Sequence, residues 1–144
     1  KLGGVANMAA SLLDEGAGDY TSNAFKSTLE DLVISLRFNA QLDSLGGRLV
    51  TLAENREIAF KLLKLALTSP RFDSEPVERI RSQILSGIRQ NTENPSAIAS
   101  KTLFKELFSN HPYGRPSSGT LDSVRNITRE RMYIFICDPF PSDC

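Results

Sequence analysis

The sequence has no tryptophan, a single histidine and two cysteines among its 144 residues. The lone imidazole, His111, sits in the loop-like run HPYG, where it is read as capping a helix end or ordering the loop rather than binding metal. Cys137 and Cys144 lie seven residues apart with no CxxC or Cys/His grouping, so neither a disulfide framework nor a zinc knuckle is marked and the redox compartment stays open. Neither sign of charge dominates: 17 Lys plus Arg balance 17 Asp plus Glu, and no stretch concentrates either. Without an electrostatic footprint, nucleic acid and anionic membrane surfaces are excluded as expected partners. No apolar run approaches the roughly 20 residues needed to span a bilayer. KLGGVANMAA also lacks the charged, apolar and cleavage-site order of a signal peptide. The compartment is left unknown, with bacterial periplasm or cytoplasm favoured over mitochondrial matrix.

What remains is one domain's worth of chain, 40% hydrophobic, able to bury roughly 70% of its unfolded surface. Helical periodicity dominates. Within GVANMAASLLDEGAG, residues 4–18, the apolar residues Val5, Met8, Ala9, Leu12 and Leu13 follow helical spacing, and Gly16 and Gly18 supply a left-handed stop. Thr21, Ser22 and Asn23 offer caps for a second helix with the stripe Phe25, Leu29, Leu32 and Val33. The period then changes to two. Leu36, Phe38, Ala40 and Leu42 alternate with Arg37, Asn39 and Gln41, and Asp43-Ser44 forms a turn, which predicts a hairpin over 35–52 with the apolar set against the helices.

A third helix runs from Asn55, with Ile58, Leu62, Leu65 and Ala66 on one side, and closes at Pro70. Asp73 or Ser74 caps a fourth, with Pro76 in its first turn, the stripe Val77, Ile80, Ile84 and Ile88, and a polar face carrying Glu78, Arg79, Arg81 and Gln83. Asn94-Pro95 starts a helix to about Phe108; 111–119 is a loop; Thr120 and Thr128 cap two short final helices. The fold class is therefore α+β, helix-rich with one β-hairpin.

This order, and the stretches GVANMAASLLDEGAGD, SLRFNAQLDSLGGRLVTLAENREIAF, LTSPRFDSEPVERIRSQILSGIRQNTENP and HPYGRPSSGTLDSVRNIT, resemble the central part of one domain of the pitrilysin and insulinase peptidases. These inverzincins include the mitochondrial processing peptidases and their bacterial relatives. The resemblance covers nearly the whole chain and implies a processing-peptidase-type α/β-sandwich domain. It further implies that 1–144 is a partial domain lacking flanking strands at both ends, with self-association through open sheet edges as the expected result.

In the family's H-x-x-E-H signature two histidines one helical turn apart bind zinc and the glutamate is general base. The matching frame here reads Asn7-Met8-Ala9-Ala10-Ser11. The histidine positions hold Asn7 and Ser11, and the base position holds Ala10. The third ligand lies in the long helix after the hairpin, where Gly87 stands, and an assisting glutamate matches Ile80. Amide, methyl, hydroxyl and hydrogen supply neither imidazole nor carboxylate. The resemblance therefore implies a non-catalytic subunit without zinc of its own, forming a chamber for an extended peptide with a partner that carries the intact motif and the metal. Gly87 costs a helix interior about 1 kcal/mol relative to alanine, so close packing against the first helix is expected there.

Other residues carry weaker signals. Arg79, Arg81, Arg89 and His111 are candidate contacts to a peptide or partner, solvation being the default for the arginines. Asp14, Glu15 and Asp19 match no calcium loop and are expected at a solvated helix end. A competing enzyme reading would draw zinc ligands from outside the frame, namely His111, Asp14 and Glu15.

Overall fold

The computed structural model describes residues 3–137. Its elements are α1 (Val5–Ala10), α2 (Ser22–Asp31), β1 (Ser35–Ala40), β2 (Leu45–Val50), α3 (Arg56–Thr68), α4 (Ser74–Asn91), α5 (Pro95–Leu107), α6 (Leu121–Arg125) and α7 (Arg129–Cys137). Short 3-10 turns lie at Ala53–Asn55 and Pro112–Gly114. No helix among the described residues is long and apolar enough to cross a membrane.

The first helix is shorter than its periodicity predicts. α1 stops at Ala10, and at its C-cap the Ser11 hydroxyl donates to the Asn7 carbonyl at 2.9 Å. The amides of Leu12 and Leu13 then tighten onto the carbonyls three residues back, Ala9 and Ala10. Both leucines are nevertheless fully buried, so a compact turn places in the core what a longer helix was expected to place there. At the other end, Gly4 has φ 90° and a Cβ on it would stand 2.7 Å from the Ser118 carbonyl oxygen. That contact seats the start of α1 on the loop that precedes α6.

α2 begins where expected, with the Thr21 hydroxyl accepting from the Ala24 amide. It ends in a Schellman turn: the Ile34 amide donates to Leu29 and the Val33 amide to Glu30. This places Val33, expected on the apolar stripe, at the left-handed position with φ 53° and 64% exposed. A β-branched residue is strained there by roughly 1–2 kcal/mol. Val33→Gly is therefore expected to stabilise the protein by about 1 kcal/mol, read as a higher urea midpoint; an unchanged or lower midpoint refutes it.

The hairpin pairs antiparallel with Leu36 opposite Leu49, Phe38 opposite Gly47 and Ala40 opposite Leu45. Leu36 is buried and Phe38 and Ala40 half-buried, while Arg37, Asn39 and Gln41 are exposed. The alternation holds through Ala40 and fails at Leu42, which lies in the turn and is 49% exposed. In α3, Ala59, Leu62 and Ala66 are buried, whereas Ile58 faces outward.

Two core clusters result. One joins Met8, Leu12 and Leu13 to Val77 and Ile80 of α4 and to Val124, Ile127, Met132 and Ile136 near the C-terminal helices. The other joins Phe25 and Leu29 of α2 to Leu36 and to Ala59, Leu62 and Ala66 of α3. Phe38 packs against both. α5 belongs to neither: none of its 13 residues is buried, and Leu103, Phe104 and Leu107 stay exposed along one side. Its start is set by Asn94, whose side-chain oxygen accepts from the Ser96 and Ala97 amides. Thr120 forms a capping box with Ser123 at α6, and the Thr128 hydroxyl accepts from the Arg131 amide at the start of α7.

Candidate functional site

The positions matched to the zinc frame lie on α1, at its C-cap Ser11 and on α4; α1 and the turn after it meet α4 in one cluster through Met8, Ala9, Leu12, Leu13, Val77 and Ile80. Asn7 and Ser11 are half-buried and Ala10 is 1% exposed. The Ser11 hydroxyl is committed to the Asn7 carbonyl. Ile80, at the assisting-glutamate position, is buried in the core. These groups do not fit a catalytic zinc, which needs three charged or imidazole donors and an open fourth position.

Gly87 departs from expectation. A Cβ built on it meets nothing within 4 Å, so close packing against α1 does not account for the glycine. Its helical cost is uncompensated, and Gly87→Ala is expected to raise stability by about 1 kcal/mol, measured by thermal or urea unfolding. A loss of stability would reveal a contact at this position that the open space denies.

Asp14 and Glu15 are not at a solvated helix end, whereas Asp19 is exposed as expected. Glu15 is 6% exposed and collects three donors: Ser22 Oγ at 2.6 Å and Arg79 Nη2 at 2.5 Å on Oε2, and Lys26 Nζ at 2.7 Å on Oε1. Burial pushes its carboxyl up, but the hydrogen bonds from Arg79, Lys26 and Ser22 outweigh this and hold its pKa below the ordinary value. Asp14 behaves oppositely: burial raises its pKa beyond what its backbone bond and Arg37, with Nη1 at 3.2 Å, can offset. Glu15 ties the turn after α1 to α2 and α4. Its carboxylate gave no sequence signal of this role, since the partners stand 7, 11 and 64 residues away.

The candidate contact residues divide sharply. Arg79 is held by Glu15 and, at 3.8 Å, by Glu75. Arg81 is 13% exposed and donates to the carbonyls of Val124, of Arg125 at 3.3 Å and of Ile127 at 2.9 Å. Both guanidiniums are thus engaged within the chain, not solvated. Arg89 is exposed in the last turn of α4. His111 is exposed and its Nδ1 accepts from the Tyr113 amide at 3.3 Å, the loop-ordering role expected of it. Tyr113 in turn donates its hydroxyl to Asp43 at the hairpin tip. His111, Asp14 and Glu15 do not assemble: no group of three or more His, Cys, Asp or Glu among the described residues could hold a metal ion. The ligand set named for the enzyme reading, His111, Asp14 and Glu15, is thus not brought together among the described residues.

No family model matches the sequence. The structure superposes on the inactive domain of a peptidase M16 from Pseudomonas fluorescens with a TM-score of 0.89 and 30% identity, covering 94% of this chain and 33% of that one. The chain is similar to the M16 peptidases, and to an inactive domain among them. Among curated relatives, this M16 homologue is 32% identical over 124 residues to the non-peptidase homolog YmxG of Helicobacter pylori, covering 86% of the chain and 29% of the relative. It is 30% identical over 79 residues to an uncharacterized zinc protease of Mycobacterium leprae, covering 55% of the chain and 18% of the relative. It therefore spans less than a third of the length of either. The helix-rich architecture with its hairpin matches part of the M16 inactive domain, and the inactive domain and the non-peptidase homolog support a non-catalytic peptidase-like domain.

Proposed function

We propose that this M16 homologue is the non-catalytic part of a two-part zinc peptidase. It helps enclose an extended peptide while a partner with intact H-x-x-E-H holds the zinc and performs the hydrolysis. What supports this reading is the residue set that the alignment sets against base and ligands, Asn7, Ala10, Ser11 and Gly87, together with the shared core of Met8, Ala9, Val77 and Ile80 that joins α1 to α4. A scaffold kept without its chemistry points to binding or assembly as the remaining role.

The test mixes the purified protein with an H-x-x-E-H peptidase from the same genome and follows cleavage of an unstructured peptide. Hydrolysis is expected from the mixture, with little from either component alone, and no zinc should remain on this protein after dialysis. Cleavage by this protein alone, or a partner equally active without it, would overturn the proposal.

The frame has its own check. Asn7→His, Ser11→His and Gly87→Glu together are expected to raise zinc affinity by at least about two orders of magnitude; Ala10 is left in place because it is buried. A folded triple variant binding no more zinc than the parent would refute the alignment of α1 with α4.

A further inference from the structure

With Arg79 and Arg81 occupied internally, the accessible cations with a defined arrangement lie on the hairpin. Arg37 and Arg48 are direct partners across β1 and β2. The alternation that turns Leu36 and Leu49 toward the helices turns both guanidiniums to the opposite face, where both residues are exposed. Directly opposed like charges destabilise a strand pair. Arg37 is relieved by one contact to Asp14, yet 77% of its side chain stays exposed. The Arg48 side chain has no ion pair or hydrogen bond among the described residues. The strands SLRFNA and LGGRLV contain no acidic residue, and Asp43 in the turn is taken by Tyr113.

The rest of this face is low, with Ser35, Asn39 and Gly46 on it and one exposed apolar side chain, Val50, at its end. The Asn39 amide lies against Gly46, whose Cβ would stand 2.8 Å from its oxygen, and Ser35 sits opposite Val50. An extended backbone can approach such a surface with little steric obstruction. Two guanidiniums on opposed residues roughly 5 Å apart match a carboxylate seated between them, each arginine offering a planar fork of donors.

We propose that the outward face of the hairpin binds an extended peptide through an Asp or Glu side chain held between Arg37 and Arg48. This inference rests on the peptide-holding role proposed above and adds the side-chain class that the surface selects. The like-charge pair, a local cost in the free chain, becomes a source of affinity once the carboxylate arrives.

The experiment is fluorescence anisotropy of a short labelled Ser/Thr/Val peptide with a central Glu, beside the same peptide with Gln, on the purified protein at low salt. The Glu peptide is expected to bind about tenfold more tightly, with the preference shrinking as salt rises. Arg48→Gln should abolish the preference and Arg48→Lys retain part of it, while the urea midpoint of both stays at or above that of the parent. Equal binding of the two peptides overturns the carboxylate selection and leaves the peptide-holding role standing. Binding by neither overturns both. A Glu preference that survives in Arg48→Gln removes the arginine pair from the account.

Discussion

Replacing Glu15 with alanine is expected to cost the fold about 3 kcal/mol in urea unfolding. The carboxylate is buried and meets Arg79, Lys26 and Ser22, so truncation strands donors from three elements at once. The figure sits at the low end for a broken buried pair because Arg79 and Lys26 keep 37% and 41% of their side chains exposed and can be rehydrated. The pH dependence carries the same signature. Because Glu15 has a lowered pKa in the fold, its contribution is complete above the unfolded value of 4.5 and is lost as pH falls through the folded value. Asp14, raised in the fold, has the opposite sign: its contribution is present at low pH and lost as pH rises through its folded value. Glu15→Gln should therefore flatten the acid limb of the stability profile. An acid limb as steep as the parent's would show that other carboxylates govern it.

Arg81→Ala is expected to cost about 2–3 kcal/mol. Its fork reaches the carbonyls of Val124, Arg125 and Ile127, where the last turn of α6 presents the negative end of a helix. The loss is structural: α6 and the Ile127 turn should loosen from α4. Arg81→Lys should recover only part, since one ammonium lacks the planar fork that spans several carbonyls. A loss below about 0.5 kcal/mol, the scale of an ordinary surface substitution, would return Arg81 to the list of residues free to touch a partner. The Arg81–Glu78 pair, with Glu78 66% exposed, contributes little to the expected loss.

Most of the element order was legible in the residues, for reasons the structure makes concrete. Asn94, Thr120 and Thr128 act as caps, Pro70 closes α3, and Val77 and Ile80 carry the buried face of α4. Alternation through Ala40 set the hairpin's faces correctly because one side is covered by helices. The misses occur where a pattern outlasts its element. Val33 continues the stripe of α2 but lies past its end, and Leu42 continues the strand period into the turn. α1 gives way after Ala10 to a tightened turn that helical periodicity does not register. Charge was the least legible property. An arginine on a polar helix face looks solvated until a carboxylate 64 residues away is brought beneath it, as Arg79 and Glu15 are. Residue types are legible without a structure: Asn7, Ala10, Ser11 and Gly87 carry neither imidazole nor carboxylate wherever they lie.

The absence of any buried residue in α5 has a kinetic meaning. Opening this helix exposes no core surface, so its amides are expected to exchange with solvent through local fraying rather than through global unfolding. Lys101 and Lys105 lie within it, offering trypsin two cleavage points that report this opening while both cores remain closed.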